Sequence, residues 1–431
     1  MPDGHSGHSH DLTLPRGEAR RTRWILAALV VPLLVATVVG LAALWPRGET
    51  PIGSVPLAGT GMTIEHGTVT EVIGVDGGDL DGGDLDGGGA QPPGDAAQDA
   101  GGQVRVELST GVGEGQVVPV QVPPEVLANG IGVGDEIRLM FSAQAMGTGS
   151  PYVFWDFERK APIGWLALGY ALVVLAVARW RGLAAMAGLT GSLGIIVAFV
   201  IPAIMLGSPP VLVTLVGCSA MMFMSLYLAH GISIRTTTAL LGTFVGLFIT
   251  VLLATWGTRS ANLTGSSSDS ALMLMSQFEN LSLMDLLLCG MVIAGLGVLN
   301  DVTITQASAV WELHAADPST PKRTLMRRGM RIGRDHIAST VYTLAFAYVG
   351  TSLPVLMMAA LMDRTMIDTL MAAEIAEEIV RTLVASIGLV LAIPATTGIG
   401  VALVRTSRRR SDGSHTAPGL TGEPEPATMA R

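Results

Sequence analysis

The segment from Cys289 to His314 reads CGMVIAGLGVLNDVTITQASAVWELH. It begins as an apolar, glycine-containing stretch typical of a membrane helix and then becomes polar without the composition of a loop. On a helix, four polar residues recur at i, i+4, i+7 and i+11 and form one stripe: Asp301, Thr305, Ser308 and Glu312. Val302 and Trp311 lie away from that stripe. A carboxylate so close to hydrocarbon usually faces a bundle interior or a water-filled cavity, so we look for function here first.

The polar residues of this segment form a candidate site with two interpretations. The site comprises Asn300, Asp301, Thr303, Thr305, Gln306 and Ser308. In the structural interpretation, Asn300 and Asp301 cap or link helices through buried hydrogen bonds; in the functional one, they line a path for an ion or a proton. A capping box at Ser282–Asp285 opens the helix on the outer side. Sixteen residues later, about 24 Å deeper, Asp301 is expected near the inner interface.

The composition of the chain is that of a multispan membrane protein. Of its 431 residues, 49% are apolar and 14% are charged. The net charge is −9, yet residues 46–160 alone hold 17 Asp and Glu against 5 Lys and Arg, a local balance of −12. This distribution argues against nucleic acid as the main partner. The two cysteines, Cys218 and Cys289, lie in apolar runs, so neither a disulfide framework nor a paired-cysteine metal motif is predicted.

Eight apolar segments can each span about 30 Å of hydrocarbon. They are Ile25–Leu44, Pro162–Ala178, Leu183–Leu206, Pro210–His230, Thr237–Trp256, Leu283–Asn300, His336–Met358 and Val380–Val404. A cytoplasmic N-terminus puts 18 of the 26 Lys and Arg residues on the inner side, as the positive-inside rule requires. The sequence therefore predicts an α-helical integral protein of a bacterial inner membrane, with both termini cytoplasmic. Its predicted regions are a disordered tail 1–23, an anchor 24–45, an outer domain 46–160, a seven-helix membrane domain 161–405 and a disordered tail 406–431.

The outer domain alternates apolar and polar residues in the manner of β-strands. Five strands are predicted, at Met62–Val75, Val104–Thr110, Gln116–Val122, Asp135–Phe141 and Tyr152–Arg159. Five short strands predict a small extracytoplasmic β-barrel of the OB-like type. The acidic, glycine-rich insert 76–102 is predicted to be a disordered loop between the first two strands. Since fold does not define function, the barrel is either a passive spacer or a docking module for a protein partner or an envelope polymer.

A second candidate site lies between the last two spans. Residues Asp363–Arg381 are predicted to form an amphipathic helix on the outer side. One of its faces carries the carboxylates of Glu374, Glu377 and Glu378, which can concentrate a cation. The simpler interpretation is a solvated acidic face in which Glu377 pairs with Arg381 at i, i+4.

The sequence contains no motif of an enzyme class. It has no P-loop, HExxH sequence, dinucleotide fingerprint or nucleophile–base set, so no catalytic activity, cofactor or metal is predicted. Intramembrane aspartyl proteolysis needs two facing Asp residues, whereas Asp285 and Asp301 lie on one helix near opposite membrane faces. The GxxxG pair of Gly242 and Gly246 is explained by close helix packing without any activity.

A family resemblance rests on the same central segment. The run GLGVLNDVTITQASAVWEL, preceded by Gly290-Met291 and followed by the R-x-G-x-x-H-I sequence at Arg331–Ile337, resembles the YibE/F-like family of bacterial multispan membrane proteins. The similarity is expected to extend from Met62 to Val404, and so to include the β-domain. It implies a permease-like activity but supplies no catalytic residue.

Two functions are therefore carried forward. A transporter or permease for a small solute or ion requires a water-accessible cavity that reaches Asp301, with polar groups contributed by other spans. A non-transporting scaffold or sensor requires Asp301 to be sealed by packing and an exposed apolar or aromatic patch on the outer domain. In that case the basic inner segment binds lipid or protein.

Overall fold

The structure, a computed structural model, describes residues 16–55, 61–73, 102–147, 150–278 and 281–404. The predicted tail 406–431, most of the tail 1–23 and nearly all of the acidic insert lie outside these ranges. The chain divides into two compact units, Pro51–Trp180 and the remainder, Met1–Thr50 with Arg181–Arg431. We describe the first as the barrel unit and the second as the helical unit.

The barrel unit contains all five predicted strands. They are β1 (Met62–Ile73), β2 (Gly102–Leu108), β3 (Val117–Val122), β4 (Glu136–Ser142) and β5 (Tyr152–Phe157). The sheet closes in the order β1-β2-β3-β5-β4, and β4 pairs with β1. Every pair is antiparallel except β3 with β5. The closed five-stranded barrel confirms the predicted strands and the predicted small barrel.

The alternation of apolar residues along the strands produces the barrel core. On β2, Val104, Val106 and Leu108 are buried while the residues between them are exposed. The same period of two buries Ile137 and Leu139 on β4 completely. Burial of these side chains is the main stabilising contribution to a small domain of this kind.

The chain is otherwise mostly helical. The helices of the described residues are α1 (Arg16–Leu44), α2 (Pro124–Ala128), α3 (Lys160–Ile195), α4 (Ile201–Met205), α5 (Pro210–His230), α6 (Ile234–Ser260), α7 (Asp269–Gln277), α8 (Leu283–Ala316), α9 (Lys322–Thr351), α10 (Leu353–Leu361), α11 (Met366–Leu370) and α12 (Ala373–Leu403). A π-helical turn, residues 196–200, joins α3 to α4. The segment predicted to cross the membrane at residues 210–230 coincides with α5.

The number of apolar helices is smaller than the eight spans predicted. Within the described residues, six helices are long and apolar enough to cross a membrane, or seven if α9 and α10, which are bent by 62° to each other, count as one span. The difference arises at Lys160–Met205, a single helical stretch by this criterion, which the prediction divided in two. Arg179 lies at that division with φ 55° and ψ −135°, so the backbone leaves the helical conformation there.

The core of the helical unit is the packing of α6, α8 and α12. Small residues make this close approach possible. A side chain at Gly246 would place its Cβ 2.7 Å from Leu299 on α8 and 3.0 Å from Ala392 on α12. A ridge of small residues at intervals of four on α12, Gly388, Ala392, Thr396 and Gly400, is likewise buried. The sequence interpretation of Gly242 and Gly246 as packing residues is thereby confirmed.

The amphipathic helix predicted at Asp363–Arg381 is not formed as one element. The short helix α11 occupies only Met366–Leu370, and α12 already begins at Ala373. The three glutamates therefore belong to the first turns of the last long helix. The last span was predicted to begin at Val380, whereas the helix continues without a break from Ala373, because Ala and Glu have high helix propensity.

Candidate functional site

The central segment lies on α8, which begins with a side-chain cap. The Ser282 hydroxyl accepts a hydrogen bond from the backbone N–H of Asp285 at 3.2 Å, which confirms the predicted cap. At the other end, the Asp317 carboxylate accepts bonds from the Ser319 hydroxyl at 2.6 Å and the Thr320 hydroxyl at 2.9 Å. These bonds lower the pKa of Asp317 below its usual value, and the bond from Ser319 has the largest effect. The helix thus has side-chain hydrogen bonds at both ends, and the polar segment lies in its C-terminal half.

The predicted polar stripe is the exposed face of α8. Asp301 and Thr305 are exposed and Ser308 is half-buried. Glu312 is 60% exposed and pairs with Arg235 at 2.6 Å. We call these four residues the charged face. Asp301 therefore does not turn into the bundle interior, and the side chains that pack against α6 and α12 come from the other side of α8.

The opposite face of α8 packs into the core and carries two of the predicted site residues. We call Leu299, Thr303, Gln306 and Val310 the buried face. All four are at most 3% exposed. Val302 and Trp311, predicted to lie away from the charged stripe, are also buried. Of the predicted site residues, α8 therefore buries an amide and a hydroxyl, and not the carboxylate of Asp301.

Gln306 connects three helices. Its side-chain Nε2 donates to the backbone carbonyl of Gly329 on α9 at 3.0 Å and to the hydroxyl of Thr397 on α12 at 2.7 Å. The Thr397 hydroxyl donates to the carbonyl of Ile393 at 2.7 Å, so it is free to accept from the amide. One side chain thus hydrogen-bonds α8 to both α9 and α12.

The approach of α9 to Gln306 depends on two glycines. Gly329 and Gly333 are buried and spaced at i, i+4, so they share one helix face. A Cβ at Gly333 would lie 2.5 Å from the Ile393 methyl group and 3.0 Å from the Gln306 Oε1. Gly333 is the glycine of the R-x-G-x-x-H-I sequence, so the packing gives that residue a physical role.

Hydroxyl groups join α8 to α6. The Thr303 and Thr243 hydroxyls lie 2.6 Å apart, and both residues are fully buried. Nearer the C-terminal end of α8, the Trp311 indole N–H donates to the Thr238 hydroxyl at 3.2 Å. The hydroxyl of each of these three threonines also lies within hydrogen-bond distance of the backbone carbonyl four residues earlier on its own helix, to which it can donate. These pairs satisfy polar groups that have no access to water.

Asn300 lies at the junction of α8 with α5. Its Nδ2 donates to the Ser225 hydroxyl at a long 3.4 Å. Its buried Oδ1 has no hydrogen-bond partner among the described residues. Asn300 is therefore incompletely paired, and it faces a different neighbour from Gln306.

A cavity of about 320 Å³ opens beside Gln306; we call it the inner cavity. It is lined by Thr305, Gln306, Ile332, Asp335 and His336. The buried Nε2 of His336 has no hydrogen-bond partner within the described part of the chain. The cavity thus reaches the candidate site through Gln306 and Thr305. Asp301 lines neither this cavity nor the cavity at the outer glutamates, so the expected cavity that reaches Asp301 is not found among the described residues.

The outer glutamates line a second cavity, of about 450 Å³, which we call the outer cavity. Glu377 is only 7% exposed, and its carboxylate accepts a hydrogen bond from the Ser267 hydroxyl at 2.6 Å. Arg381 pairs with Glu378 at 2.8 Å and not with Glu377. Glu374 is exposed. The interpretation of a solvated acidic face is therefore wrong for Glu377, which is held in the protein by Ser267.

The two cavities lie at opposite ends of α12. Glu377 lines the outer cavity, and Thr397, the partner of Gln306, lies 20 residues further along the helix. At about 1.5 Å per residue this separation is about 30 Å, the thickness of the hydrocarbon core of a bilayer. Val302, Leu389 and Ile393 form a fully buried apolar cluster, and its two α12 residues lie between Glu377 and Thr397 in the sequence.

Sequence reasoning missed several residues of this arrangement. It did not identify the α6 threonines, Ser267, or the inner-cavity residues Asp335 and His336 as parts of the two sites. The recurrence of small or hydroxyl residues every fourth position on α6, from Thr238 to Thr258, is a signal that points to the packing face. Among the described residues, no three His, Cys, Asp or Glu side chains are arranged to hold a metal ion.

Comparisons with known proteins bear on the helical part of the chain. The family model described as YibE/F-like protein matches residues 166–406, more than half of the chain. The match leaves the barrel strands outside, so the expected extension of the similarity back to Met62 is not shown. Comparison with curated proteins and with solved structures gave no match. The central segment, both cavities and the α6, α8 and α12 core all fall within the matched residues, and the chain belongs to the YibE/F-like family.

Proposed function

We propose that the chain is a permease that moves a small solute or ion across a bacterial inner membrane. In this proposal the stretch from α3 to α4 crosses twice, with its break at Arg179, and α9 with α10 crosses once. Eight crossings then return both termini to the cytoplasm and place the barrel outside. The concentration of arginines at residues 322–334, at one end of α9, supports this orientation.

The observation that carries the proposal is the pair of polar cavities at opposite ends of one helix core. Each has a volume near the lower end of the roughly 300–1,000 Å³ usual for small-molecule sites, which favours a small substrate. The outer cavity presents the buried carboxylate of Glu377, and the inner cavity presents Asp335 and His336. Both linings therefore favour a cation or a small polar solute.

The sealed region between the cavities corresponds to a closed state. The apolar cluster of Val302, Leu389 and Ile393 must separate before a solute can pass. Pro394 lies directly beside this cluster inside α12, where it removes the helical hydrogen bond to the carbonyl of Val390. α12 continues through Pro394 as one helix, and a missing hydrogen bond of this kind is a usual position for a helix to bend, so α12 is the element expected to move.

Gln306, Thr303 and Thr305 are the residues expected to contact the solute on its inner path. Gln306 lines the inner cavity and is also close to the apolar cluster. Its amide donates a hydrogen bond to Thr397, whose hydroxyl donates to the carbonyl of Ile393. Thr303 lies one turn further out and pairs with Thr243. Asp301, on the charged face, is expected to act at most on the entry of ions from the cytoplasm.

The alternative function, a membrane scaffold or sensor, is favoured by a different observation. The barrel exposes several large apolar side chains, among them Val117 by 54%, Val153 by 53% and Trp155 by 39%. Val153 and Trp155 point outward on the same strand. A partner protein or envelope polymer that covers this strand would account for their exposure.

Flux through reconstituted protein tests the transport proposal. The purified full chain is placed in liposomes, and a panel of inorganic cations, anions and small neutral solutes is measured together with protons. Tryptophan substitutions that block each cavity, Ser270→Trp outside and Thr305→Trp inside, are expected to abolish the flux of the wild-type protein. Thr343→Trp, an exposed position on α9 that lines neither cavity, is the matched control. Folded wild-type protein that moves no solute of the panel, or full flux in both blocked variants, contradicts the proposal.

A further inference from the structure

The first turns of α9 carry a strongly cationic surface that the proposed transport path does not use. Residues 322–336 contain six Lys and Arg residues and one carboxylate, Asp335. Five of the six cations are arginines, all exposed, which we call the arginine face: Arg323, Arg327, Arg328, Arg331 and Arg334. None of these five arginines forms an ion pair or a side-chain hydrogen bond with another described residue.

The arginine face lies on the side of α9 that points away from the core. At about 100° per residue, the five arginines fall within an arc of about 140°. Gly329 and Gly333, the residues that pack against Gln306 and Ile393, lie on the opposite side. From Arg323 to Arg334 the strip is about 17 Å long. Packing thus leaves five guanidinium groups free on one continuous surface.

The same side of α9 becomes apolar where the helix enters the proposed membrane. Residues 337–350 contain no charged side chain. Tyr342, Phe346 and Val349 are 64%, 72% and 51% exposed, and they follow the arginines along the same arc of the helix. The surface therefore presents cations at one end and a continuous apolar strip at the other.

We infer that this face of α9 binds anionic phospholipid from the cytoplasmic leaflet. The guanidinium groups contact the headgroup phosphates, and the acyl chains lie along Tyr342, Phe346 and Val349. Arginine pairs with phosphate through two parallel N–H donors, and an unpaired basic cluster next to a membrane helix attracts anionic lipid. A free phosphate or an acidic peptide would use the cationic part alone and leave the apolar strip without a role. The inference rests on the proposed orientation of α9 but not on transport.

Lipid-dependent unfolding of the full chain in a neutral detergent tests the inference. Delipidated protein is titrated with dioleoyl phosphatidylglycerol, dioleoyl phosphatidylcholine or glycerol 3-phosphate, and the thermal midpoint is recorded. We expect phosphatidylglycerol alone to raise the midpoint, and we expect high salt to weaken this effect. Equal shifts with phosphatidylcholine, no shift with any lipid, an effect independent of salt, or an equal effect of glycerol 3-phosphate would each overturn the inference.

Variants that remove or keep the positive charges test whether the effect arises from the arginine face. The triple variant Arg327→Gln, Arg331→Gln, Arg334→Gln is expected to bind phosphatidylglycerol roughly fivefold more weakly per arginine removed. The corresponding triple lysine variant keeps the charge and is expected to retain most of the affinity. Arg259→Gln with Arg364→Gln, two exposed arginines at the other end of the bundle, is the control for general charge loss. Unchanged affinity in the glutamine variant, or an equal loss of affinity in the control, contradicts lipid binding by the arginine face. Because the experiment does not measure flux, its result does not depend on whether the protein is a permease.

Discussion

The two faces of α8 use polar residues in opposite ways. The charged face carries Asp301 and Glu312 at the surface, and Glu312 has an ion-pair partner on α6. The buried face carries Thr303 and Gln306, which hydrogen-bond to α6, α9 and α12. The charged side chains of α8 therefore lie on the side that faces away from the core, while the neutral polar side chains lie on the side that contacts the neighbouring helices.

The difference follows from the cost of burial. An ionised carboxylate inside a bundle needs a partner and several hydrogen bonds, whereas an amide or hydroxyl is satisfied by one or two. In a membrane, where the lipid is as apolar as leucine, such bonds and close packing of small residues stabilise helix association. Gln306 and the two glycines of α9 fit this requirement, and Asp301 does not.

The largest expected effect comes from filling the contact between α9 and Gln306. Gly333→Leu places a side chain against Ile393 and the Gln306 amide, and is expected to lower the free energy of unfolding by about 3 kcal/mol, the upper part of the usual range for overpacking. Gly350→Leu on the same helix meets no atom within 4 Å and is the matched control. Denaturation in detergent measures both; an equal, small effect would show that α9 does not pack closely here.

Removing the Gln306 amide is expected to have the next largest effect. Gln306→Leu keeps the volume of the side chain but loses two interhelical hydrogen bonds, so we expect a loss of about 1–2 kcal/mol of unfolding free energy. Thr305→Val, one residue away, removes a hydroxyl that bonds only to its own helix. If the two variants are equally stable, the buried face has no special role in assembly.

The hydroxyl pair between α8 and α6 is expected to contribute less. In a double-mutant cycle of Thr243→Val and Thr303→Val, we expect a coupling energy of about 0.6 kcal/mol, the average for hydrogen bonds between membrane helices. The single and double variants are compared by unfolding in the same detergent. A coupling energy of zero would mean that each threonine is satisfied by its own backbone alone.

Neutralising the charged face is expected to change stability little. Asp301→Asn alters an exposed group that makes no side-chain hydrogen bond or ion pair in the described chain, so the free energy of unfolding should stay within about 0.5 kcal/mol of the wild type. A loss as large as that of Gln306→Leu would place Asp301 in the assembly and remove the distinction between the two faces.

The smallest expected effect is a pH dependence at the inner end of α8. Hydrogen bonds from Ser319 and Thr320 lower the pKa of Asp317 in the folded protein, so its contribution is present above the unfolded pKa, near pH 4, and is lost as the pH falls through the folded value. Asp317→Asn should therefore flatten the acid limb of the stability profile below about pH 4. Identical acid limbs in both proteins would show that this turn contributes nothing.

Much of the fold follows from patterns in the sequence, and the site follows only in part. Alternation of apolar residues identifies all five strands, and the bounds of α5 coincide with an apolar run. The helical period also places Asp301 and Val302 on different faces of α8, as observed, but it does not identify which face packs against the core. That choice depends on Gly329, Gly333 and Thr397, which are distant in sequence. The burial of Glu377 by Ser267 is missed for the same reason.

The central claim is that the buried face of α8, and not its charged face, carries the transport site. Flux in proteoliposomes through Gln306→Leu and Asp301→Asn, each normalised to folded protein, tests it most directly. We predict that Gln306→Leu loses most of the wild-type flux at every pH tested, whereas Asp301→Asn retains most of it. Loss of flux in Asp301→Asn with full flux in Gln306→Leu would contradict the account.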